Sequence, residues 1–117
     1  MAETSTFDRQ AGGFFRCEDG ISFFAEFIIN GERKPFAGKF DYKIIPFDVP
    51  EAILHYVNLD ELYGDFRIDL SRYHFVGPRK MRLPFVKHET TFVITGSFAG
   101  ILPEGFDVGG GGSWLLL

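Results

Sequence analysis

Over residues 34–45 the chain alternates strictly with a period of two, and no other feature constrains its fold as much. Phe36, Gly38, Phe40, Tyr42 and Ile44 fall on one face, and Ala37, Lys39, Asp41 and Lys43 on the other. An amphipathic helix repeats every 3.6 residues, so this pattern predicts a strand with one wet face. Residues 21–29 precede it with the same habit: Ile21, Phe23, Ala25, Phe27 and Ile29 alternate against Ser22, Phe24, Glu26 and Ile28. Asn30-Gly31 lies between them, and both residues tolerate the positive φ of a two-residue hairpin. A short strand at 13–17 is expected to pair with 21–29 across Glu18-Asp19-Gly20.

Strand character returns at 65–76, 80–86 and 90–102. Pro84 inside the second run predicts an edge position or a bulge, because proline cannot donate to a ladder. In the last run Phe92, Ile94, Gly96, Phe98 and Gly100 share a face. Small residues set between large rings suit a tightly curved sheet. Residues 48–64 break the alternation. Asp48, Pro50 and Glu51 look like a helix start, with Ile53, Leu54, Val57, Leu62 and Tyr63 as a ragged stripe and Gly64 as the stop. The alternative there is a short helix at 49–54 followed by an irregular segment or strand at 55–59. The expected fold is mainly all-β: a small antiparallel β-barrel or strongly curved half-barrel of six strands with one short helix. At 117 residues a single domain over 1–108 is expected. Residues 109–117 follow as a Gly-rich linker, Gly109 to Gly112 with Ser113, and an apolar tail of Trp114-Leu115-Leu116-Leu117.

Composition narrows the function classes. Twelve Lys and Arg against 16 Asp and Glu give a net charge of −4, which argues against a general nucleic-acid binder. The single cysteine, Cys17, forbids an internal disulfide, reads as a small buried hydrophobe and fits a reducing, cytoplasmic compartment. Residues 1–10 are polar with two acids and do not resemble a secretory signal. No apolar run approaches the ~18 residues of a membrane span. The 15 phenylalanines have two readings: they fill a small core, or they line a pocket for an apolar ligand.

The stretch 65–76 carries the most local information. Phe66, Ile68 and Leu70 make one face apolar, and strict continuation places Arg72 and His74 inside, where a charge is costly unless paired. A bulge near Ser71 would instead turn Tyr73 and Phe75 inward. The histidines at 55, 74 and 88 have no metal-ligand spacing, and adjacent Asp60 and Glu61 diverge on a helix. No nucleophile elbow, phosphate loop or dinucleotide fingerprint is present. Residues 67–87 hold six basic side chains against Asp69 alone, a local +5 that suits an anionic ligand or simply a solvated face.

Tyr73-His74-Phe75-Val76-Gly77, Arg79-Lys80 and Glu89-Thr90-Thr91-Phe92-Val93-Ile94 resemble the Tyr-x-aliphatic-x-Gly-x-Lys and Asp-Thr-Thr runs of a lipocalin-like, calycin-type β-barrel module. That module is found beside cholesterol-oxidase-like flavoproteins and some lipases. The resemblance implies a barrel near lipid or isoprenoid chemistry and carries over no catalytic residue. The function expected first is binding of a hydrophobic small molecule, a lipid, isoprenoid or polyene, in a Phe-lined pocket. Phe40, Tyr42 and Phe98 would line it, and Arg72, Tyr73 and His74 would stand at its mouth. One alternative is a cofactor-free cyclase or isomerase with His74 or Tyr73 as proton donor. Another is an interaction or oligomerisation module docking through Trp114, Leu115, Leu116 and Leu117. No cofactor and no metal is expected in any of the three, and the partners are an apolar small molecule, a tail-docking protein or a second copy.

Overall fold

The computed structural model describes residues 7–115. Its strands are β1 (Arg9–Cys17), β2 (Ser22–Ile29), β3 (Glu32–Phe40), β4 (Phe47–Tyr56), β5 (Gly64–Ile68), β6 (Phe75–Val76), β7 (Lys80–Lys87), β8 (Thr90–Ser97) and β9 (Gly110–Trp114). All pairings are antiparallel. Eight strands close a barrel in the order β1-β2-β3-β9-β5-β7-β8-β4, with β4 returning to β1 and the β5–β7 pairing completing the ring. The two-residue β6 pairs with the stretch of β7 that β5 does not reach. The expected antiparallel barrel is therefore present and closed. It is not a simple up-and-down meander, because β4 lies beside β1 and the last strand, β9, enters between β3 and β5.

The alternating faces resolve into a lumen of aromatic rings. Phe23, Ala25, Phe27 and Ile29 of β2, Phe36 and Phe40 of β3, Met81, Leu83 and Phe85 of β7, and Phe92 and Ile94 of β8 are all buried. Phe36 and Phe92 stand on strands halfway round the ring from each other, yet their centroids are 5.3 Å apart. Phe36 also meets Phe85 at 5.0 Å and Trp114 at 4.8 Å, and Phe66 meets Phe92 at 4.8 Å. Rings at this separation touch, so they fill the middle of the barrel from wall to wall.

Three segments differ from the sequence expectation, each for a physical reason. Residues 48–64 are not a helix: Phe47–Tyr56 is β4, and helical structure is confined to a 3-10 turn at Leu59–Glu61. Along β4 the register to β1 slips between Val49, opposite Phe15, and Ala52, opposite Gly13. Pro50 and Glu51 form the bulge, where proline breaks no ladder bond. The buried positions are 47, 49, 52, 54 and 56, a period of two interrupted once at the bulge, and the interruption hides the strand alternation from the sequence.

The glycine run is not a free linker, since Gly110–Trp114 is a barrel strand hydrogen-bonded to β3 and β5. Its inner face must be bare because the rings of β3 lie against it. A Cβ on Gly112 would come within 2.8 Å of Phe36 Cζ.

The 65–76 run splits, with β5 ending at Ile68 and β6 beginning at Phe75, so neither a continuous strand nor a single bulge describes it. Pro84 sits opposite that split. Its carbonyl accepts from Asp69 N at 2.8 Å, so its N points to the same side, where the neighbouring strand has ended and no ladder bond is lost.

Candidate functional site

At one end of the barrel, called upper here, the loops after β1, β3, β5 and β8 meet, and these carry most of the residues singled out in the sequence. His74 leaves the β5–β6 connection with both ring nitrogens engaged: Nδ1 is 2.7 Å from Arg72 O and Nε2 is 2.7 Å from Asp107 Oδ1. Two acceptors are both satisfied only when the ring carries two protons. The hydrogen bond to Arg72 O, and then the Asp107 carboxylate, accordingly raise the His74 pKa above its ordinary value against the opposing effect of burial. The Tyr42 hydroxyl donates to Asp107 O, so Tyr42 and His74 hold the same residue. Arg72 pairs with Asp69 at 3.4 Å, and Arg67 with Asp41 at 3.3 Å.

These contacts tie loops together. Asp107 is delivered by the β8–β9 connection, which bridges to β6 through Val76 and Phe106. Of the remaining expected ligand-binding residues, Phe40 is buried in the ring cluster, and Phe98 packs on Phe47 at 5.1 Å just beyond β8. Tyr73 lies outside the barrel, 73% exposed, beside Phe75, Lys80 and Arg82. The local +5 stretch is dispersed: Arg67 and Arg72 are ion-paired, Arg82 donates to Tyr73 O, and Lys87 lies at the opposite end.

At that opposite, lower end the connections are short, apart from the β4–β5 loop. Asn58 caps the 3-10 turn by accepting from Asp60 N at 3.0 Å, which holds Leu59 and Leu62 over the mouth. A cleft of about 410 Å³ opens there, lined by Ile29, Leu59, Leu62, Tyr63 and Leu115 with Glu32, Arg33, Lys34 and Asp60 around it. Ile29 and Leu62 belong to the hydrophobic core, so the cleft's walls continue the barrel interior.

Two lysines face inward at this mouth. Lys34 shares the face of Phe36, and its Nζ lies 5.5 Å from the centroid of the Trp114 ring. Lys87 shares the face of Phe85, and its Nζ lies 3.6 Å from the Tyr63 ring and 4.9 Å from that of Phe66. Lys87 also donates to Tyr63 O. Among the described residues, no carboxylate stands within ion-pair distance of either ammonium. Trp114 itself, 6% exposed, has its indole Nε1 buried without a hydrogen-bond partner. The tail residue Leu115 is exposed at the cleft, whereas Leu116 and Leu117 lie outside the described residues.

No family model, curated sequence or solved structure matches this chain. Its functional reading therefore comes from the site itself. The inward lysines were absent from the sequence candidates although the signal was there. Lys34 and Lys87 stand two residues from Phe36 and Phe85 on the same alternating faces. Among the described residues, no helix is long and apolar enough to cross a membrane.

Proposed function

We propose that this chain is a binding module for a small hydrophobic molecule, taken at the lower mouth of the barrel. The observation that carries the reading is the pairing of a ring-filled lumen with a cleft of about 410 Å³ whose walls include the core residues Ile29 and Leu62. Barrel mouths are frequent ligand sites, and this volume is in the range of small-molecule pockets. The resemblance of residues 73–94 to a lipocalin-like module supports the same class of function. The expected pocket thereby moves from the lumen, which Phe40 helps to fill, to the rim. A cyclase or isomerase would need a proton donor turned toward a substrate in the cleft, whereas both ring nitrogens of His74 are engaged by Arg72 O and Asp107 and Tyr73 lies outside the barrel, away from the cleft lining.

The test is a calorimetric titration of the full chain with decan-1-ol. Saturable binding at one molecule per chain is expected, weakened at least tenfold by Leu59→Glu, which puts a charge on the cleft wall at a partly buried position. No binding, or binding indifferent to that substitution, overturns the reading.

A further inference from the structure

We infer that the barrel has a second binding site on its outer wall, where Tyr73, Phe75, Lys80 and Arg82 take a small aromatic anion, a ring carrying a carboxylate or a phosphate. Strand register assembles it. Phe75 of β6 is paired with Arg82 of β7, and Arg82 with Thr95 of β8, so the three stand in one row across neighbouring strands. Met81 is buried in the core, and alternation therefore turns its neighbours Lys80 and Arg82 outward together. A pocket of about 380 Å³ is lined by this row with Tyr73 and Lys80, a volume in the range of small-molecule sites.

The lining carries two cations and no carboxylate. That sets it apart on a chain of net charge −4, where the lower cleft includes Glu32 and Asp60 and the groove along β9 includes Asp41 and Asp65. Arg82 is fixed in place, since its Nη1 donates to Tyr73 O at 2.8 Å. Burial pulls its pKa below the ordinary value, so its charge is incompletely hydrated and gains from an anion beside it. Lys80 is exposed, and among the described residues no carboxylate stands within ion-pair distance of it. A carboxylate or phosphate offers oxygens to both groups at once. The rings supply the other half of the chemistry. Tyr73, 73% exposed, meets Phe75 at 5.2 Å with the two planes 51° apart. Rings set at that angle form a corner, in which a third ring packs against the face of one and the edge of the other.

The experiment titrates the full chain with 2-naphthoate and follows the backbone amides in a proton–nitrogen correlation spectrum. Three related probes run beside it: 2-naphthyl phosphate changes the anion, naphthalene-2-methanol removes the charge, and decahydro-2-naphthoate removes the aromaticity. The better of the two aromatic anions is expected to bind at least fivefold more tightly than the alcohol and the saturated acid. Its shifts should centre on Phe75, Arg82 and Thr95, and whichever of the two binds more tightly names the anion. Lys80→Glu, at an exposed position, is expected to weaken that binding at least tenfold with an unchanged melting temperature, and Tyr73→Ala at least threefold. Affinity equal to that of the alcohol overturns the anion, and affinity equal to that of the saturated acid overturns the ring. Shifts confined to Leu59 and Leu62, or no shifts at all, overturn the outer site itself. None of these outcomes bears on decan-1-ol at the lower mouth, whose lining shares no residue with this pocket.

Discussion

His74 ties the β5–β6 connection to the β8–β9 connection beside the Val76–Phe106 bridge. Its ring is mostly buried, it donates to Arg72 O and Asp107, and the Asp69 carboxylate adds to the field that favours its charged form. The Arg72 guanidinium pairs with that same Asp69 carboxylate at 3.4 Å. A folded-state pKa raised above the unfolded value means that the tie adds stability fully below the ordinary pKa of 6.5. That addition is lost as pH rises through the raised value. His74→Gln is therefore expected to cost about 1 kcal/mol near pH 5.5 and almost nothing near pH 9. Urea unfolding of both proteins at the two pH values measures the gap, and a gap independent of pH would show that His74 contributes by packing alone. Cys17 is a second titrating group with a plain expectation. Burial pushes its thiol up to about 11, so hardly any thiolate exists at neutral pH. Labelling by a thiol reagent at pH 8 should follow the rate of unfolding, with the free-thiol rate appearing only in denaturant.

Glycines decide how two of the strands are built, through sterics. A Cβ on Gly38 would stand 2.1 Å from Gly111 O and 2.5 Å from Gly112 Cα, both backbone atoms that cannot swing aside. Gly12, on the outer side of β1, has nothing within 4 Å. Gly38→Ala is expected to destabilise the barrel by about 2–3 kcal/mol, the cost of overpacking, with Gly12→Ala close to neutral by the same thermal melt. The same glycines set the limit of what the sequence disclosed. The alternation of Phe23, Phe27, Phe36, Phe85 and Phe92 announced its strands, because a lumen-facing period of two needs only local information. β9 was hidden, since the reason for its bare residues lies in the Phe36 ring of another strand. β4 was hidden by its bulge, which reset the period at Pro50 and Glu51. The site divided the same way: Lys34 was legible from its face in the 34–45 alternation, Lys87 lay one residue beyond the expected 80–86 strand, and the unpartnered indole nitrogen of Trp114 became visible only with its surroundings.

At the scale of the whole molecule, the barrel is closed by backbone and stiffened by rings, and Phe36 connects the two. It touches Phe23 on β2, Phe85 on β7, Phe92 on β8 and Trp114 on β9. One side chain thus joins both walls of the ring, including strands distant in sequence whose pairing is the slow part of assembling a β-barrel. Closure between β5 and β7 rests on the short register of Arg67 with Val86 and Ile68 with Phe85, so the ring contacts carry much of the burden of holding that seam. Phe36→Ala should leave a cavity in the middle of the lumen and cost about 3–5 kcal/mol, a large share of the ~5–15 kcal/mol that holds a domain together. An apolar cavity of that kind stays dry and takes up benzene. Benzene should therefore raise the melting temperature of Phe36→Ala by several degrees and leave the parent protein unmoved. A comparable rise in the parent would mean that its lumen already has room for a ligand, and would return the binding site from the mouth to the interior.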